Sequence, residues 1–138
     1  MEDVADPKAD YVADTHALYF EFAEPARLGE RARRVLNEAR GGRWRIGVPA
    51  IVAAELLWLA AKQGREADIE SLLTTIAGGH TQYVPLDFVF AQVPGLGRLA
   101  SVPEMHDRMI VDAALRLGVP LLTRDHEITA SGVVSVIW

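Results

Sequence analysis

Glu55 is a residue whose type does not suit its setting. It lies in "VPAIVAAELLWLAAK" (48–62), an apolar stretch with helical character. At about 100° per residue, Ile51, Val52, Leu56, Trp58 and Leu59 fall on one broad stripe, and Glu55 falls inside it. A carboxylate on a core-facing stripe needs a proton, a basic partner or a metal, unless it sits at the edge and reaches water. Three more acids stand at places where chemistry is possible. Asp14 ends the apolar run "YVAD", Asp125 follows "VPLLTR", and Asp107 falls in the first turn of "EMHDRMIVDAALRL". Each has a plain structural role open to it: Asp14 and Asp125 as helix caps, Asp107 as a first-turn acid facing the helix dipole. Taken together, they suggest a cluster. Two carboxylates about 5 Å apart repel by roughly 3 kcal/mol at an effective dielectric of 20, and a divalent cation removes that cost. Oxygen-only ligands favour Mg²⁺ or Mn²⁺.

The elements that must position these acids can be read from periodicity. "YVAD", "WRIGV", "QYVPL", "VPLLT" and "VVSVI" read as short strands. "THALYFEF", "RLGERARRVLNEAR", the Glu55 stretch, "READIESLLTTIAGG" and "EMHDRMIVDAALRL" read as helices, with Pro49 in a first turn and Gly64 and Gly118 as stops. "DFVFAQV" looks helical, and "PGLGRLASVP" reads as a loop. Strands alternating with helices imply an α/β fold, a mainly parallel sheet flanked by helices. Such sheets gather their sites at the carboxyl ends of the strands, so Asp14, Glu55, Asp107 and Asp125 are expected to converge there. Residues 1–10 read as a loose acidic tail and 11–138 as one domain.

Composition narrows the chemistry. The chain has 138 residues, half of them hydrophobic, and no cysteine, which removes disulfides, zinc–thiolate sites and thiol nucleophiles. No apolar run reaches the ~20 residues of a membrane span, and the acidic N-terminus is unlike a signal peptide, so a cytoplasmic protein is expected. A net charge of −5 argues against a non-specific nucleic-acid coat, but not against an enzyme whose acids are neutralised by cations. There is no Walker motif; "GLG" at 95–97 is too short to cradle phosphate. An aspartyl-phosphate enzyme would need a second acid two residues after Asp14, where His16 stands, and a placed lysine, whereas the lysines are Lys8 and Lys62. His16, His80, His106 and His126 read as incidental, and Trp44 and Trp58 as packing residues.

"VADTHALYF", "VPAIVAAELLWLA", "MHDRMIVDAALRLGVPLLTRD" and the ending "SGVVSVIW" resemble the PIN-domain ribonucleases, in particular the VapC-like toxins of toxin–antitoxin pairs. The resemblance spans nearly the whole chain after the tail. It implies a PIN-like three-layer fold and an Mg²⁺- or Mn²⁺-dependent site that hydrolyses RNA. The family's four acids match Asp14, Glu55, Asp107 and Asp125, and its hydroxyl residue matches Thr15, with Thr123 a further candidate for holding substrate. On this reading Asp14 and Asp107 are inner metal ligands, Asp125 completes the shell, and Glu55 binds a metal-bound water or serves as general base. One ion or two remains open. A small antitoxin is the implied partner, and a second copy of the chain is another candidate. The alternative is a PIN-like domain that has lost catalysis and acts by binding. Asp112 departs from the pattern, since small residues are usual there; four residues from both Arg108 and Arg116, it is expected in a surface ladder of ion pairs. Residues 65–102 carry little family signal. Arg31, Arg33, Arg34, Arg40, Arg43 and Arg45 could meet an RNA backbone, or simply keep an exposed helix and turn soluble.

Overall fold

The computed structural model describes residues 7–138. Most of the expected tail, residues 1–6, lies outside the described residues. Asp10, at its other end, is held: its amide donates to the Arg45 carbonyl at 2.8 Å and its carboxylate accepts from the Arg45 amide at 2.8 Å.

Five strands, β1 (Tyr11–Ala13), β2 (Ile46–Pro49), β3 (Tyr83–Leu86), β4 (Leu121–Leu122) and β5 (Val136–Ile137), form a wholly parallel sheet in the order β3-β2-β1-β4-β5. The central strands are buried along their length, as their continuous apolar runs require. Gly47 is needed in β2 because a Cβ there would stand 2.8 Å from Leu86 Cδ1 and 3.3 Å from Val12 Cγ2. Six helices flank the sheet: α1 (Thr15–Ala23), α2 (Glu30–Arg40), α3 (Ala50–Lys62), α4 (Glu66–Ala77), α5 (Met105–Leu117) and α6 (His126–Ser131). Pro49 closes β2 and caps α3 rather than sitting inside its first turn. Gly118 ends α5 in the left-handed conformation that a residue without Cβ adopts freely.

In α3 the fully buried positions are Val52, Leu56 and Ala60, spaced by four residues so that one narrow face meets the core. Each such branched side chain contributes roughly 1.5–3 kcal/mol when removed from water. Ile51 and Leu59 are half-buried, and Trp58 is 69% exposed, so Trp58 is not the packing residue its stripe suggested. Trp44 and Trp138 do pack, edge-on against Tyr11 and Phe20.

The segment expected as a helix from Asp87 is extended at first. It then winds as 3₁₀ turns over Phe90–Arg98, which reach into the expected loop. Pro94, which lacks an amide hydrogen, and two nearby glycines disfavour a regular α-helix there. This segment lies on the outer side of α5, tied down by the Arg108 side chain, which donates to the carbonyls of Val102 and Leu96. That cover corrects the expectation for Asp112. It is buried, not part of a surface ladder, and Gly95 approaches it so closely that a Cβ would lie 3.2 Å from its Oδ1. Its Oδ2 accepts from Arg116 Nε at 2.9 Å, while Arg108 is turned to the covering segment instead.

Candidate active site

The strand order reverses between β1 and β4, and this switch point opens a crevice at the carboxyl ends of the strands. Asp14 follows β1 directly. The pairing of Ala13 with Leu122 sets Asp14 beside Thr123, and the Asp14 amide donates to the Leu122 carbonyl at 3.1 Å. The side chain then does two jobs. Asp14 Oδ1 accepts the Ala17 amide at 2.9 Å, capping α1, and Oδ2 accepts the Thr123 hydroxyl. The Thr123 hydroxyl in turn accepts the Asp125 amide at 3.1 Å, and Asp125 Oδ1 caps α6 through the Ile128 amide at 2.9 Å. The capping roles open to Asp14 and Asp125 are therefore real, and they coexist with a place in the crevice.

Thr15 opens α1 and points its hydroxyl at α3, donating to Glu55 Oε1 at 3.1 Å. The other oxygen of Glu55 lies 3.6 Å from His106 Nδ1, which is itself 3.6 Å from Glu104. Asp107, half-buried in the first turn of α5, completes the group. A cleft of about 880 Å³ is lined by Asp14, Glu55, Asp107 and Asp125 together, with Thr15 on its wall. The four acids predicted to converge do so.

The electrostatics of the cleft are those of crowded anions. Burial pushes Asp107 up to about 7, helped by the charges of Glu104, Asp125, Glu55 and Asp14. Burial also raises Asp14, and Asp125 adds to it, against the opposing effects of the Thr123 and Ala17 hydrogen bonds and of His16. Among the described residues no three Asp, Glu or His side chains are yet drawn into the spacing of a metal's ligand shell. The donor chemistry nonetheless fits a hard divalent cation: carboxylate oxygens gathered in one cleft, where burial first and the neighbouring anions second raise Asp107 to about 7.

Sequence reasoning missed six polar or aromatic residues of the lining: His16, Trp58, Glu104, His106, Arg124 and His126. Glu104, His106 and Arg124 flank the acids, and that adjacency was their available signal. Trp58 had a signal too, three residues after Glu55 on the same helix. None of the six arginines between 31 and 45 lines the cleft. Arg34, Arg40 and Arg43 pair with Glu30, Glu21 and Glu38, and Arg33 caps carbonyls of the preceding turn.

The model of the PIN domain family matches residues 11–132. No curated protein sequence matches the chain. Among solved structures, a chain of VapBC2 from Rickettsia felis, bound to a DNA fragment from the promoter, shares the fold with TM-score 0.68 at 16% identity, over 92% of this chain and 96% of that one. A toxin–antitoxin complex from Klebsiella pneumoniae gives TM-score 0.67 at 17% identity, over 94% and 97%. FitAcB from Neisseria gonorrhoeae gives TM-score 0.63 at 18% identity, over 93% and 96%.

Proposed function

The chain belongs to the PIN domain family, and we propose that it is a divalent-metal-dependent endoribonuclease that hydrolyses RNA phosphodiester bonds as the toxin of a toxin–antitoxin pair. The observation that carries the reading is the convergence of Asp14, Glu55, Asp107 and Asp125 on one cleft, with Asp107 pushed up to about 7 by burial and its anionic neighbours. Such an arrangement is costly to the folded chain and serves no packing purpose. Asp14, Asp107 and Asp125 would hold Mg²⁺ or Mn²⁺. A bound ion of this class makes water a better nucleophile and stabilises charge on a phosphoryl group.

The chain's own residues supply the rest. The Thr123 hydroxyl joins Asp14 to the Asp125 backbone and fixes the two strand ends relative to each other. Thr15 orients the Glu55 carboxylate, which takes the proton of the attacking water. Both hydroxyls orient acids, and a contact from either to substrate phosphate remains part of the proposal. Arg124 brings a guanidinium to the lining beside Asp125, suited to a phosphate oxygen.

The similar structure named as a toxin–antitoxin complex supports a small antitoxin as partner, and a second copy of the chain is a further candidate. No helix among the described residues is long and apolar enough to cross a membrane, and a cytoplasmic location is part of the proposal. Incubation of purified protein with total RNA, with Mg²⁺, with Mn²⁺ or with EDTA, tests the reading. Wild type should cleave only with metal, and Asp14→Asn and Asp107→Asn should not cleave at all. Full activity in either variant at matched purity refutes the site, and a wild type inert with both ions favours a binding domain.

A further inference from the structure

Trp58 stands out once the site is assigned. Its ring is 69% exposed and lines the same cleft as the acids. It sits three residues from Glu55, and side chains at that spacing are neighbours on a helix surface. The buried face of α3 is occupied by Val52, Leu56 and Ala60, so the indole is not needed for the core. Lys62, one turn further on, holds its ammonium 5.3 Å from the ring centroid. The cleft thus has an acidic floor, an aromatic rim beside Glu55 and a lysine ammonium lying over that ring, which must move aside when a base stacks on the same face.

We propose that Trp58 is a stacking platform for the RNA base beside the cut, with Lys62 meeting a neighbouring phosphate. The inference rests on the ribonuclease reading above and names the residues that seat the nucleotide next to the scissile bond. An aromatic face recognises a base by its flat surface, whatever its identity. In a duplex those surfaces are covered by neighbouring base pairs, and only edges and backbone are presented. A phosphodiester held at the acids of α1, α3 and α5 places the adjoining nucleotide along α3, where Trp58 stands. Lys62 offsets the negative charge of the cleft where the strand leaves it.

The test uses Trp58→Ala and Trp58→Phe in the full chain, with folding checked by circular dichroism. Binding of a short fluorescein-labelled oligoadenylate is read by fluorescence anisotropy, and cleavage of single-stranded and duplex RNA by initial rates. Trp58→Ala should weaken oligoadenylate binding and raise KM for single-stranded RNA about 10–100-fold, as expected for loss of one stacked base, while kcat stays nearly unchanged. Trp58→Phe should recover most of the loss, and an abasic nucleotide beside the cut should erase the difference between wild type and Trp58→Ala. If wild type cleaves RNA and Trp58→Ala matches it in KM, the stacking role is overturned while the ribonuclease reading stands. If Trp58→Ala spares RNA but loses a co-expressed protein partner, the ring belongs to a protein interface and the proposal fails. A wild type that neither binds nor cleaves RNA removes the ribonuclease reading and the inference with it.

Discussion

Replacing Asp14 with asparagine should stabilise the metal-free protein while abolishing cleavage. Asp14 is 8% exposed, and burial is the largest cause of its raised pKa, with the charge of Asp125 adding to it. Asparagine keeps the side-chain carbonyl that caps α1 through the Ala17 amide. Its amide can donate to the Thr123 hydroxyl oxygen, so both polar contacts survive. The negative charge is lost. Carboxylates about 7 Å apart repel by roughly 2 kcal/mol at an effective dielectric of 20, and with screening from the open cleft a net gain of about 1–2 kcal/mol is expected. That raises Tm by about 3–8 °C in a domain of this size. Asp14→Ala removes the same charge but also the cap, so it should fall about 1 kcal/mol below Asp14→Asn. The pH dependence fixes the cause. The folded pKa lies above the unfolded value of 3.8, so between the two the folded chain holds a proton that the unfolded chain lacks. Stability is lost as pH rises through that window. The gain from asparagine should be present at neutral pH and vanish near pH 4, about the free carboxylate value. Thermal melts in EDTA at both pH values measure it. An asparagine variant less stable than wild type at neutral pH, with its fold intact, would show that the charge of Asp14 is compensated and that the strained-cluster argument is wrong.

Mg²⁺ at about ten times its dissociation constant should stabilise wild type by roughly 1.4 kcal/mol and leave Asp14→Asn almost unmoved; equal shifts in melting scans of the two would place the ion elsewhere. Asp107 is pushed up to about 7, so proton and metal compete for it, and Mg²⁺ affinity measured by calorimetry should rise with pH through neutrality. A flat profile would contradict that competition. Asp112→Asn should keep cleavage and the same Mg²⁺ requirement but lose about 1 kcal/mol of stability, because the charge-assisted bond from Arg116 Nε to a buried carboxylate becomes a neutral one. A rise in the Mg²⁺ needed for half-maximal cleavage would instead make Asp112 part of the site.

The acids were legible because each stood where the fold rule puts chemistry: Asp14 and Asp125 after apolar runs, Glu55 and Asp107 on the helices beside them. The strand set was legible because short apolar runs alternated with helical periods. Trp58 was misread because a helical wheel gives angles but not the width of the buried face. In α3 that face is as narrow as Val52, Leu56 and Ala60, and the adjoining stripe lines a cleft. Asp112 was misread for a related reason. Its angle set it off the apolar face of α5, but the segment carrying Gly95 covers that side too, and its own sequence does not say where it will lie. His106 shows a third kind of miss, since its partner Glu55 comes from a helix some fifty positions earlier in the chain.

The bond from Thr123 to Asp14 spans 109 positions of the chain. A ribosome adding about 5–20 residues per second needs roughly 5–20 s to cover that distance. During that interval the first acid has been made, but β4, which supplies its main-chain partner Leu122, and Thr123 just beyond it, the partner of its side chain, have not. Closing so long a loop also carries an entropic cost that local pairings avoid. The crevice is thus completed only after β4 has been made, and a chain interrupted before β4 carries Asp14, Glu55 and Asp107 without the strand that joins them.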